Sequence, residues 1–124
     1  MAIPSGTIIN TAWLLLASHI FGDWVFQSHV MACEKSRHSE SELQKHVPWY
    51  WWLSGHAFAH GFLVSLATGS IALGLMEFVT HGLIDYFKCE GTYGIKLDQT
   101  LHLLCKCLWL YLMFGPLPFL SDGG

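Results

Sequence analysis

Charge is scarce in this sequence. Only 12% of its 124 residues are Asp, Glu, Lys or Arg, about half of the ~25% usual in a soluble domain. A chain this short has a large surface to cover, and a water-facing surface needs more charge than that. Basic residues are fewer still: six Lys and Arg against nine Asp and Glu, a net charge of −3 with no basic tract. That excludes a nucleic-acid-binding surface. There is no CxxC pair, and Cys33, Cys89, Cys105 and Cys107 fit neither a zinc-finger spacing nor a disulfide framework. They read as free packing thiols. Strand-like alternation, long repeats, low-complexity tracts and linkers are all missing, so residues 1–124 form one domain. Met1–Asn10 has no basic n-region, and no small-residue cleavage site follows the first apolar run, so no cleavable signal peptide is expected.

Apolar residues are plentiful, at 52% with twelve glycines besides. Mean hydropathy is +0.40. Four apolar stretches stand out, at about residues 8–31, 47–67, 71–87 and 97–120. Each is long enough to cross a hydrocarbon core of about 30 Å as a helix, and a span must satisfy its own backbone. The expected fold is therefore an all-α integral membrane bundle of four transmembrane helices. Thr68–Ser70 reads as a tight glycine turn, and Pro116 and Pro118 are expected to end the last helix. Trp49, Tyr50, Trp51 and Trp52 read as an interfacial belt. Lys35, Arg37 and Lys45 fall in the first loop, and Lys88 and Lys96 flank the third. The positive-inside rule then places both charged loops in the cytoplasm and both termini outside. The expected location is a bacterial inner membrane. Four short helices bury little surface, so a homodimer is also expected, with membrane lipid as the other partner.

Eight histidines in so apolar a chain are the feature to follow. Five of them join three aspartates in pairs four residues apart: His19 with Asp23, His56 with His60, His81 with Asp85, and Asp98 with His102. Residues i and i+4 share one helix face. A helix offers two ligands to one metal at this spacing. Each span supplies one pair, and all eight residues fall in the half of the bundle nearest the charged loops. Polar side chains at such depth should face the interior. Eight candidate ligands are too many for one four-coordinate zinc and suit two divalent ions. Imidazole and carboxylate together fit Zn, Fe or Mn, with zinc the leading expectation. The plainer alternatives are a hydrogen-bonded packing histidine at each site and a helix cap at Asp98. His29, His38 and His46 lie at the interface or in the first loop and read as solvated or snorkelling.

Two residues extend these faces. Glu77 precedes His81 by four and Lys106 follows His102 by four, at comparable depth. They are expected either to form a buried ion pair or to act as a general base and a clamp for an anionic group. Gln27 follows Asp23 by four and Gln99 adjoins Asp98. Both are candidates to hydrogen-bond the ligands, against a reading as plain polar residues.

The blocks HIFGDWVFQ (19–27), HAFAH (56–60), HGLIDYFK (81–88) and LDQTLHLL (97–104) occur in an order that resembles a family of small bacterial and phage membrane proteins. That family is described only as a domain of unknown function, of the 3307 type. The likeness covers about Leu14 to Leu112. It implies a four-helix membrane protein marked at His19, Asp23, Gln27, His56, His60, His81, Asp85, Asp98, Gln99 and His102, and implies no activity. The motif type is also loosely similar to that of membrane-bound metal-dependent hydrolases, by analogy alone.

The leading functional expectation is an integral membrane metal-dependent hydrolase with a dinuclear His/Asp site, acting on a lipid, a lipid-linked phosphate or a nucleotide. A histidine-rich di-iron desaturase or hydroxylase competes with it. So does a metal transport or sensing protein, although the far halves of the spans carry few polar residues beyond Thr11, Ser65 and Thr68. A phage interaction protein with a structural metal is the last alternative.

Overall fold

Helices form wherever the apolar runs predicted them, and the first run contains a break. A computed structural model describes residues 5–115. Helix α1 covers Ser5–Ile20 and continues into a π-helical turn at Phe21–Val25, closed by the Phe26 amide donating to the Phe21 carbonyl at 2.8 Å. The chain then leaves the helix. Ser28 adopts an extended backbone, and its hydroxyl accepts from the Met31 amide, capping a separate short helix α2, His29–Glu34. The expected single helix over residues 8–31 is thus corrected to a helix, a π-turn and a second helix. A 3₁₀ turn at Glu42–Lys45 leads to α3, Trp49–Thr68. Gly69 takes the left-handed conformation, φ +69°, that ends α3. The Ser70 hydroxyl caps α4, Ile71–Cys89, by accepting from the Leu73 amide. Helix α5 runs over Ile95–Phe114 and stops at Gly115, φ +76°. It therefore ends short of the expected residue 120. Pro116 and Pro118 lie outside the described residues. No strand occurs among the described residues.

The four long helices pack in a ring, α1 against α3 and α5, and α4 against α3 and α5. Helices α3 and α4 form a close hairpin because Gly61 and Gly74 face each other. A Cβ on either would lie 2.6–2.7 Å from the other's carbonyl oxygen, so only glycine allows this approach.

Polarity runs opposite to that of a water-soluble core. Among the described residues the buried apolar side chains are Leu15, Ala57, Val64, Leu73 and Trp109. Among the same residues thirteen polar or charged side chains are buried, and thirty large apolar side chains are exposed. Leu15, Val64, Leu73 and Trp109 cluster and fill the interior away from the charged loops. Among the described residues one helix, Thr7–Val25, is long and apolar enough to cross a membrane by length and composition. The other three long helices carry charge and histidine in their interiors, which lowers their hydropathy although these side chains face inward. Glu77, Asp85, Asp98 and Lys106 are all at most 4% exposed.

The two charged connections meet at one end of the bundle. Arg37 grips Glu90 through two nitrogens, at 2.5 and 2.7 Å, and His38 joins at 3.3 Å. The guanidinium holds the Glu90 carboxyl down to about 2. Glu34 is buried, and its carboxylate accepts from Gln44 and Ser39. The first connection is thus a folded cap. All four cysteines are free.

Candidate metal centre

The i,i+4 pairs converge. Asp23 Oδ1 lies 2.9 Å from His60 Nε2, 3.2 Å from His56 Nε2 and 3.6 Å from His81 Nε2. Asp85 lies 3.2 Å from His102 Nε2, 3.3 Å from His56 Nε2 and 3.6 Å from His81 Nε2. Two sets could each hold an ion: Asp23, His56, His60 and His81, and then His81, Asp85 and His102. Every histidine in them is at most 1% exposed.

The donor arrangement fits a cation. Asp23 Oδ1 stands 3.2 Å from His56 Nε2, and Asp85 Oδ1 stands 3.2 Å from His102 Nε2. Ligand atoms bound at 2.0–2.2 Å to one tetrahedral ion sit about 3.3 Å from each other. His60 Nε2 is close to Asp23 yet is not aligned to hydrogen-bond it, and has no hydrogen-bond partner among the described residues. A buried nitrogen left so is costly unless something else meets its lone pair.

His19 and Asp98 stand further out. His19 Nε2 donates to Gln99 Oε1 at 2.8 Å and lies 3.7 Å from Asp23. Asp98 lies 3.3 Å from His102 Nε2. Gln99 donates to both Asp23 Oδ2 at 3.1 Å and Asp98 Oδ2 at 3.0 Å, so it ties the π-turn to α5. Gln27 donates to the Asp23 carbonyl at 3.3 Å and accepts from Lys35. His29 and His46 are exposed.

Glu77 and Lys106 meet as an ion pair of 2.6 Å. The Trp109 indole donates to the other Glu77 oxygen at 2.6 Å. Glu77 Oε1 also lies 3.3 Å from His81 Nδ1. The pair sits behind His81, on the side away from the converging Nε2 atoms, and neither residue lines the polar cavity described below.

Lys35, expected in the first charged loop, takes part in the site. Its side chain is 4% exposed and donates to Asp85 Oδ2 at 2.5 Å and to Gln27 Oε1 at 2.7 Å. No spacing rule could have found it, since fifty positions separate it from Asp85. Gly22 is a second such residue. A Cβ there would collide with the His60 ring. Gly22→Ala is expected to cost about 1–3 kcal/mol by overpacking and to lower metal occupancy by displacing His60. Thermal unfolding and metal analysis of the same sample check this, and unchanged occupancy would count against the placement of His60 as a ligand.

Fold and site together define an all-helical bundle protein with a buried His/Asp centre. The chain belongs to the family described as "Protein of unknown function (DUF3307)", which matches residues 11–117. No curated protein and no solved structure matches it.

Proposed function

We propose that this chain is an integral membrane metal-dependent hydrolase whose His/Asp centre holds two divalent ions, zinc foremost. The carrying observation is the convergence of four imidazole Nε2 atoms on the carboxylates of Asp23 and Asp85. The inverted polarity supports the membrane reading. Among the described residues thirty large apolar side chains face outward around a charged interior, a distribution suited to lipid rather than water. In this reading the four long helices cross the membrane, with the charged loops cytoplasmic.

His81 Nε2 has one lone pair and serves one ion. Divided on that rule, Asp23, His56 and His60 form one set, and His81, Asp85 and His102 the other. Each then offers three protein ligands and an open position, the pattern of a catalytic site. Ions bound there supply an acidified water and polarise a substrate oxygen. Gln99 orients Asp23 and Asp98. Glu77 acts as a positioning residue: its carboxylate, 3.3 Å from His81 Nδ1, favours the tautomer protonated there and so leaves the Nε2 lone pair for an ion. Lys106 and Trp109 fix Glu77 in that role. The apolar plug of Leu15, Val64, Leu73 and Trp109 closes the far side, which favours chemistry over passage through the bundle. The substrate class is a lipid, a lipid-linked phosphate or a nucleotide.

Elemental analysis of protein purified in detergent without chelator tests this directly. About two zinc ions per chain are expected. Chelation should lower apparent stability by about 3 kcal/mol for each ion, about 5–6 kcal/mol for the two, if the ions stood at a hundredfold their Kd, and should stop phosphate release from a lipid phosphomonoester. Iron in place of zinc would favour the oxidoreductase, and folded protein free of metal would sink the proposal.

A further inference from the structure

We infer that the polar cavity beside the His/Asp centre binds a phosphomonoester oxyanion, with Lys35 and Lys88 as its cationic walls. The inference rests on the metal reading above. The cavity has a volume of about 130 Å³ and is lined by Asp23, Asp85 and Asp98 facing Lys35, Lys88 and Gln27. The other clefts, such as that between Phe58 and Phe78, are lined almost wholly by apolar side chains.

Two donors are available in it. An ammonium carries three protons, and Lys35 spends one on Asp85 and one on Gln27, which leaves a third. Lys88 Nζ stands 3.8 Å from Asp98 Oδ2, too far for a hydrogen bond, so its protons are free for a ligand. Charge selects the sign of that ligand. Three carboxylates against two ammonium groups leave the empty cavity close to neutral, and two divalent ions would turn it strongly positive. Glu77 and Lys106 cancel each other and change nothing. Unbalanced charge in a water-poor interior is costly, and a neutral ligand would not relieve it. A phosphoryl group carrying up to two negative charges would.

Size and rim select the rest. The cavity has room for about four waters by liquid volume, enough for one tetrahedral oxyanion and too little for an acyl chain. Trp24 and Ile95 also line it and are 65% and 50% exposed. They offer apolar contact to whatever the phosphoryl group is attached to.

Binding is measured on metal-loaded protein in detergent, with inorganic phosphate as the first probe and phosphatidic acid in the micelle as the second. Phosphatidylcholine serves as control. Lys35→Gln and Lys88→Gln are each expected to weaken both phosphoryl probes about tenfold, with metal content unchanged in Lys88→Gln. Lys88 is partly exposed, so its variant keeps the test free of folding defects. Tighter binding of phosphatidic acid than of phosphate, lost in Trp24→Ala, identifies a lipid source. Equal binding of the two identifies a soluble phosphomonoester. Phosphate affinity unmoved in both lysine variants, with metal retained, overturns the anion site alone. Wild-type protein without metal overturns the metal reading and this inference with it.

Discussion

Replacing Asp85 with Ala should remove metal and destabilise the fold at once, and the two effects should separate. The Asp85 carboxylate faces His56, His81 and His102 and carries the ammonium of Lys35. Both partners of that ion pair are at most 4% exposed. Deleting one partner of a buried pair leaves the other charge unpaired, at a cost of about 3–5 kcal/mol. The double variant Asp85→Ala/Lys35→Met removes both charges. It should recover most of the stability, since an apolar pair of similar volume is often neutral or better. It should not recover the metal, because the ligand is still missing. Thermal unfolding and metal stoichiometry across the four proteins of the cycle measure this. Full metal retention in Asp85→Ala would show that Asp85 is only a counter-ion for Lys35.

Glu77 yields the second large effect. Its carboxylate serves Lys106, Trp109 and the Nδ1 side of His81. Glu77→Leu should cost about 3–5 kcal/mol through the stranded Lys106 ammonium. Glu77→Leu/Lys106→Leu should regain that stability. A purely structural ion pair would then leave metal affinity untouched. A positioning role for Glu77 predicts a metal affinity still lower by 10–100-fold, the usual effect of losing the group that orients a ligating histidine. Competition with a metal-binding dye, run on the double variant and on wild type, separates these outcomes.

The i,i+4 pairs were legible because helix geometry is periodic. Once α3, α4 and α5 form, His56 with His60, His81 with Asp85, and Asp98 with His102 must share faces. The meeting of Glu77 with Lys106 was legible for the same reason, as depth follows from counting residues along two helices. Which nitrogen of His81 turns toward which carboxylate was not legible, since ring orientation depends on the packing of Glu77 behind it. Lys35 was hidden because it reaches the site from a connection whose fold depends on the burial of Glu34 and on the grip of Arg37 on Glu90. The break in the first helix was hidden as well. Residues 8–31 are apolar enough to continue, and only the Ser28 cap and the π-turn interrupt them. Mean hydropathy is lower in three of the four long helices because it averages around the helix, whereas their charges occupy one inward stripe.

The π-turn makes the length of the first segment a functional constraint. A π-turn is an α-helix carrying one inserted residue. Loss of any single residue between Phe21 and Val25 would restore regular winding and rotate all that follows by about 100° relative to α1. His19 and Gln27 could not then both look inward. Lys35 would be delivered to a different side of the bundle from Asp85. Point changes on the outward face, as at the exposed Trp24, leave this phase intact, while a one-codon deletion there would dismantle the His/Asp cluster with all of its residues still encoded.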